Sequence, residues 1–369
     1  MDIDLQEAYQ TIMEAVRAED IFGSLPKSNK DPMEILGDEY RRLSQLVSPE
    51  NYSAPDDKES AFDAKEQLNR FYNIAQERVR DGNYGIMQRS MTIRPGQPVI
   101  ETDKRKYHLG YPIAEGTIST VFDGQCSVQD DFAGRVAIKI ANSPKDNELM
   151  WREVRTLKLL RSKDGAQRKH LPVLHDKFRT GDNRVGLIFG FLDQSYDLVT
   201  IRENTNHLNG VDQKHMVWIM NRALSAIGYA HYNGVVHGNI EPSHLIVRPY
   251  DHNLFIVDWS WSAISPANTC DHYQIFTENY SAPEVQQGKS PAPAADLYSL
   301  GKCMIYLLGG NVETNEIPEH IEEELRQFLL KFVSTSERRR PQDAWQMHGQ
   351  LHNLVIRLWG KKKFRKFPM

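Results

Sequence analysis

Three patterns along the 369 residues predict an α+β chain whose first part is all-helical. Up to residue 82, apolar residues recur at helical spacing. Val136-Ala137-Ile138-Lys139 then sits in an alternating run typical of a half-buried strand, and helix-period segments dominate from Asn147 onward. Charged residues at 25% and hydrophobics at 40% are ordinary for a globular protein, and the length accommodates two to three domains. No apolar run of about 18 residues exists, and Asp2, Asp4 and Glu7 are wrong for a signal peptide. Cys126, Cys270 and Cys303 are widely spaced and odd in number, which predicts reduced thiols and a cytoplasmic location. A net charge of −4 gives no general pull toward nucleic acid or membrane.

Leu5, Ala8, Ile12 and Val16 share one face of a first predicted helix. Asp20-Ile21-Phe22-Gly23 follows. A second stripe comprises Met33, Leu36, Tyr40, Leu43 and Val47, and a third comprises Leu68, Phe71, Ala75 and Val79, with Asp81-Gly82 as a stop. The polar stretch Ser48 to Lys58 joins the last two as an antiparallel hairpin, with Ser48-Pro49-Glu50 at its start. This hairpin resembles a J-domain, whose signature there is His-Pro-Asp; here the imidazole is gone and the carboxylate is one methylene longer.

A second resemblance covers about Tyr107 to Trp359. His237-Gly238-Asn239-Ile240-Glu241-Pro242-Ser243-His244 follows a helix-period run ending at Tyr232. Val136-Ala137-Ile138-Lys139 precedes a helical stretch, Asn147 to Leu160, containing Glu153, with Glu148 as the fallback. Phe255-Ile256-Val257-Asp258-Trp259-Ser260, Ser281-Ala282-Pro283-Glu284, Asp296 to Gly301 and Arg340-Pro341 arrive in order behind it. In this order and spacing the strings resemble those of protein kinases. The resemblance implies a bilobal kinase-like fold, with a small antiparallel β-sheet N-lobe and a helical C-lobe. It also implies that Lys139 binds phosphate and pairs with Glu153, that Asp258 holds magnesium, and that Arg340 pairs with Glu284. His237 and Asp296 take structural positions. The Gly-rich loop position, Ile113 to Val121, retains only Gly116, and Ala114 and Ser119 crowd it.

Within that resemblance, Asn239 stands where the family has its base Asp, Gly238 where it has Arg, Glu241 where it has Lys, and His244 where it has the metal-binding Asn. A carboxamide accepts no substrate proton, Glu241 inverts the local charge, and imidazole nitrogen suits magnesium poorly. These replacements predict a protein without catalytic activity, a pseudokinase serving as a protein-binding scaffold in a larger assembly. The alternatives are a kinase-fold transferase of nucleotidyl or phosphoryl groups and an ATP-binding switch. No cofactor is required in the first case; Gly116, Lys139, Glu153 and Asp258 then form a vestigial or weak site for ATP and magnesium. The plainer readings are a structural Lys139–Glu153 ion pair, a packed His237, and Phe255, Trp259 and Trp261 as core aromatics or fillers of the nucleotide cleft. His231, His237 and His244 lack the spacing of a zinc site.

The expected organisation is a helical module at 1–82, a linker at 83–106, an N-lobe at 107–195, a C-lobe at 196–360 and a basic tail at 361–369. Pro98 to Glu101 adds a strand ahead of the N-lobe. Only about 45 residues separate Asp296 from Pro341, too few for a substrate-docking helix between them. Lys361 to Lys366, interleaved with Phe364 and followed by Phe367, is either a solvated end or a contact for an acidic partner, nucleic acid or lipid.

Overall fold

The computed structural model describes every residue except 1–4, 16–17, 24, 26–30, 54, 81–83, 85–96, 104, 129–130, 267–271 and 361–364. Val16, Asp81-Gly82, Cys270, most of the expected linker and the lysine run of the tail therefore lie outside the described residues. The chain divides into two compact units. The first comprises residues 1–150, 164–169 and 173–191, and the second 151–163, 170–172 and 192–369.

The first unit opens with helices α1 (Leu5–Glu14), α2 (Glu19–Phe22), α3 (Pro32–Leu46) and α4 (Pro55–Arg80). Their apolar stripes meet in one core that includes Ala8, Ile12, Leu36, Leu43, Leu68 and Phe71. Asp31 caps α3 by accepting the Met33 N–H at 2.9 Å, and Pro32 supplies the preset φ of a first helical residue. Helix α4 begins inside the stretch expected to be loop. Ahead of it the chain makes a 3₁₀ turn, Pro49–Asn51.

The same unit holds a fully antiparallel six-stranded sheet in the order β1-β2-β3-β4-β6-β5. Its strands are β1 (Val99–Glu101), β2 (Lys106–Glu115), β3 (Ser119–Val128), β4 (Asp131–Ala141), β5 (Leu174–Arg179) and β6 (Val185–Gly190). Alternation along β4 sends Val136, Ile138 and Ile140 into the core with Tyr107, Cys126 and Ile188. Lys139 is thereby turned to the other face, where it is still 95% shielded, being 5% exposed.

The second unit is mainly helical. It contains α5 (Asn147–Arg161) from Trp151 onward, α6 (Leu198–Glu203), α7 (Gln213–Tyr232), α8 (Pro283–Gln286), α9 (Pro293–Leu307), α10 (Glu323–Leu330) and α11 (Ala344–Trp359). Helix α7 is apolar on nearly every side (Met216, Ile219, Met220, Ala223, Leu224 and Ile227 are all buried), as a central helix must be. Small strands complete the unit: β7 (Tyr196–Asp197), β8 (Val235–Val236), β9 (Leu245–Arg248), β10 (Asn253–Ile256) and β11 (Ala263–Ile264). The chain between α9 and α10 makes a tight turn closed by an Asn311–Glu316 bridge and contains no helix. Past the undescribed lysines the chain end is anchored rather than solvated. Phe367 is 3% exposed, with ring centres 5.0 Å from His215, 5.2 Å from His207 and 5.9 Å from Trp218. This α+β architecture is the one the sequence predicts.

Candidate functional site

The segment 237–244 is held by one buried carboxylate. Asp296, at the start of α9, accepts the backbone N–H groups of His237 at 2.8 Å and Gly238 at 2.9 Å, and the His231 Nε2–H at 2.8 Å. Burial alone would raise its pKa; the His231 bond and charge, His237 and the Gly238 N–H together hold it below the usual carboxylate range. Gly238 has φ +78°, and a Cβ there would stand 2.9 Å from the Trp261 carbonyl oxygen. Glycine suits both constraints at once.

His237 is fully enclosed. Its Nε2–H donates to the Val257 carbonyl at 3.0 Å, and its Nδ1 accepts the Asn239 N–H at 3.3 Å. Burial pushes its pKa down to about 4, so the ring is neutral at pH 7 and its tautomer is fixed by its partners. Trp259 packs edge-on against it, with ring centres 4.6 Å apart, and is itself wholly buried with its Nε1–H on the Ile256 carbonyl. Trp259 thus belongs to the core of the second unit.

Glu153, on α5 and 1% exposed, accepts the Trp259 N–H at 3.1 Å and the Ser260 hydroxyl at 3.0 Å. Thr156, one turn on, meets the Ser262 hydroxyl at 2.7 Å. Ser260 therefore ties its segment to α5 through its hydroxyl. Lys139 lies in the first unit and Glu153 in the second. Gly116 lies in the first unit too, in the turn between β2 and β3. Asn142 clamps that turn, donating to the Gly116 carbonyl at 2.8 Å and accepting from Thr120 at 2.9 Å. Nothing in the sequence around Asn142 marks it; only the strand register brings it there.

The chemistry-bearing groups converge on His244. Its Nδ1–H donates to the Asn239 carbonyl at 2.8 Å, which turns Nε2 outward. That Nε2 is 3.5 Å from Oε1 of Glu241 and 3.5 Å from Oδ2 of Asp258. The three side chains are 15%, 23% and 21% exposed, so solvent reaches them all. Asp258 itself is held at φ 59°, ψ 65°, an uncommon left-handed backbone for a residue with a side chain. By contrast, Asn239 is 6% exposed, and its Oδ1 accepts the Thr277 hydroxyl at 3.1 Å. It fastens the segment leading to α8 rather than facing solvent. Farther along, Glu284 and Arg340 form a 2.5 Å ion pair, 4% and 0% exposed, and Arg340 also donates to the Ala294 carbonyl at 3.2 Å. Among the described residues no group of three or more His, Cys, Asp or Glu side chains forms a ready-made metal cage. Ser48, Pro49 and Glu50 stand in the turn between α3 and α4, within the first unit.

Residues 107–365, over half of the chain, match the protein kinase domain. Serine/threonine-protein kinase D of Synechocystis is 24% identical over 211 residues, covering 52% of this chain and 40% of that protein. The probable serine/threonine-protein kinase FMP48 of Saccharomyces cerevisiae is 27% identical over 221 residues, covering 54% and 58%. CBL-interacting protein kinase 32 of rice is 29% identical over 215 residues, covering 56% and 45%. The chain thus spans about half the length of these relatives.

These matches overturn the expectation of a catalytically inactive scaffold, because the relatives are named as kinases. The physical reason lies in the loop. The expectation took the amide at Asn239 to leave no acceptor for the substrate proton, whereas carboxylates of Glu241 and Asp258 each stand 3.5 Å from His244 Nε2. The kinase domain match, the braced loop and the two-part α+β architecture lead to one conclusion: the chain belongs to the protein kinase family.

Proposed function

We propose that this chain is an ATP-dependent protein kinase that phosphorylates hydroxyl side chains. The observation that carries this reading is the convergence of Glu241, His244 and Asp258 on one solvent-reached spot, on a loop braced by Asp296. Kinases of this family use ATP with magnesium. Asp258 offers the oxygen such an ion prefers and would hold a magnesium ion carried in with the nucleotide, whereas the nitrogen of His244 suits it poorly. When bound, the ion would offset the charge of the phosphates. By the family resemblance Lys139, 5% exposed on the β4 face turned from the core, is assigned to binding nucleotide phosphate.

The chain's own groups supply the rest. Asp296 fixes the loop backbone before substrate arrives, so no reorganisation is needed at the moment of transfer. Neutral His237 and buried Trp259 keep the Asp258 segment in place. The Thr277–Asn239 bond ties the following segment down without a phosphate, which agrees with glycine, not arginine, at position 238. We assign α3 and α4 to a J-like hairpin that docks a protein partner, on the strength of its turn at Ser48-Pro49-Glu50. The buried, unbridged thiols of Cys126 and Cys303 support a reducing, cytoplasmic setting.

The test is to incubate the purified full chain with γ-labelled ATP, magnesium or manganese, and a panel of proteins, followed by phosphoamino-acid analysis. Label on serine or threonine that disappears in Lys139→Ala and in Asp258→Ala is the expected result. Folded protein that transfers nothing with either metal refutes the reading.

A further inference from the structure

We infer that Glu241 is the general base of this enzyme, so that the proton-accepting carboxylate sits two residues beyond the position occupied by Asn239. The inference rests on the kinase reading above and names the residue that completes it.

Two carboxylates near the loop in the second unit are fully engaged within the fold. Asp296 is 2% exposed and accepts three donors. Glu153 is 1% exposed and uses both oxygens on Trp259 and Ser260. Asp258 and Glu241 remain within reach of solvent. Asp258 is fixed by its left-handed backbone at the end of β10, on a segment whose next two residues are locked to Glu153. Glu241 instead projects from extended backbone, φ −150° and ψ 167°, just ahead of the Pro242–His244 turn. Its Oε1 takes the Ser243 hydroxyl and faces His244. Among the described residues no protein donor reaches Oε2, so one lone-pair-bearing oxygen is left for a substrate.

The surrounding groups suit an acceptor. Ser243 donates its hydroxyl to one oxygen and thereby aims the other, which makes Ser243 the positioning residue. The His244 Nδ1–H is committed to the Asn239 carbonyl, and its Nε2 stands 3.5 Å from the held oxygen. Asn239 cannot compete, because its amide is enclosed and bonded to Thr277. In the proposed step the substrate hydroxyl oxygen bonds to the γ-phosphorus of ATP while the bond from that phosphorus to the bridging oxygen breaks. The hydroxyl proton passes to Glu241 Oε2, ADP leaves with the bridging electron pair, and Glu241 then gives its proton to water.

The experiment compares the full chain with Glu241→Gln, Glu241→Asp and the surface control Glu313→Gln. It measures kcat and kcat/KM from pH 5 to 9, and binding of a non-hydrolysable ATP analogue by thermal shift. Glu241→Gln is expected to lose about 10²–10⁴-fold in kcat, to lose the acid limb of its pH profile, and to bind the analogue as the parent does. Glu241→Asp is expected to recover part of the rate and the acid limb, and Glu313→Gln to match the parent. A Glu241→Gln enzyme within threefold of the parent kcat, or one with the acid limb intact, overturns the assignment while leaving the kinase reading in place. Loss of analogue binding in Glu241→Gln also overturns it, since the residue would then be structural. A parent protein that binds the analogue but transfers no phosphate overturns the kinase reading itself, and the base assignment with it.

Discussion

Arg340 and Glu284 offer the sharpest test of how the second unit is held together. Replacing Arg340 by Met removes the 2.5 Å bond to Glu284 and the 3.2 Å bond to the Ala294 carbonyl, and it leaves a carboxylate that is 4% exposed without its cation. Breaking such a buried pair from one side costs about 3–5 kcal/mol, mostly the cost of the stranded charge. For a unit of this size each kcal/mol moves Tm by about 2–4 °C, so Arg340→Met should melt roughly 6–20 °C lower. Glu284→Leu strands the guanidinium and should cost a similar amount. The double variant Arg340→Met/Glu284→Leu strands no charge. It keeps apolar contact with the Tyr298 ring, over which the guanidinium now lies at 5.2 Å, and should recover to within about 1–2 kcal/mol of the parent. Urea unfolding of all four proteins, followed by tryptophan fluorescence, closes the cycle, with an expected coupling of at least ~2 kcal/mol. Additive losses in the double variant would refute the claim that stranded charge, and not lost packing, dominates.

His237 should make stability fall in acid. Its pKa is depressed to about 4 in the fold, so between that value and the ordinary 6.5 the unfolded chain binds the extra proton, and stability rises with pH across that window. The parent should lose on the order of 3 kcal/mol between pH 7 and pH 4 from this group, and His237→Gln should flatten that slope in pH-dependent urea titrations. Asp296, with a lowered pKa, adds a further loss below the ordinary carboxylate range, in the same direction. Gly238→Ala places a Cβ 2.9 Å from the Trp261 carbonyl at φ +78° and should cost about 1–3 kcal/mol by thermal unfolding. Phe367→Ala should free the chain end, changing Trp218 fluorescence and lowering stability by roughly 1–3 kcal/mol, less than a fixed core position because the end can relax.

Much of the fold was legible because it rests on periodicity. Leu36 and Leu43 in α3, Leu68 and Phe71 in α4, and Val136, Ile138 and Ile140 in β4 announce their faces through spacing alone. The missing helix between α9 and α10 was legible from chain length. The site was legible as positions and illegible as chemistry. A motif says that Asn239 has lost its acid, but only the three-dimensional path shows Glu241 and Asp258 flanking His244. The role of Ser260 shows only where α5 brings Glu153 within 3.0 Å of its hydroxyl. The docking of Phe367 depends on His207, His215 and Trp218, which are some 150 residues distant in sequence, and a basic tail gives no hint of it.

Whether this loop is eroded or rebuilt turns on polar accounting. A decaying site accumulates side chains that fit nothing, and a buried polar atom without a partner costs about 1–3 kcal/mol. Among the described residues, none of the side-chain nitrogens and oxygens of His237, Asn239, Glu241, Ser243, His244, Asp258 and Ser260 is buried without a partner. The replacements also answer one another. Gly238 fits a backbone that a Cβ would strain, Asn239 takes Thr277, His244 rests on the Asn239 carbonyl and faces both acids, and Ser260 binds Glu153. Independent losses would not be expected to complement each other in this way, since each would be free to leave its neighbours unmatched. Glutamate in place of lysine at 241 and imidazole in place of amide at 244 thus come as a matched set, the first bonded to Ser243 and the second to the Asn239 carbonyl.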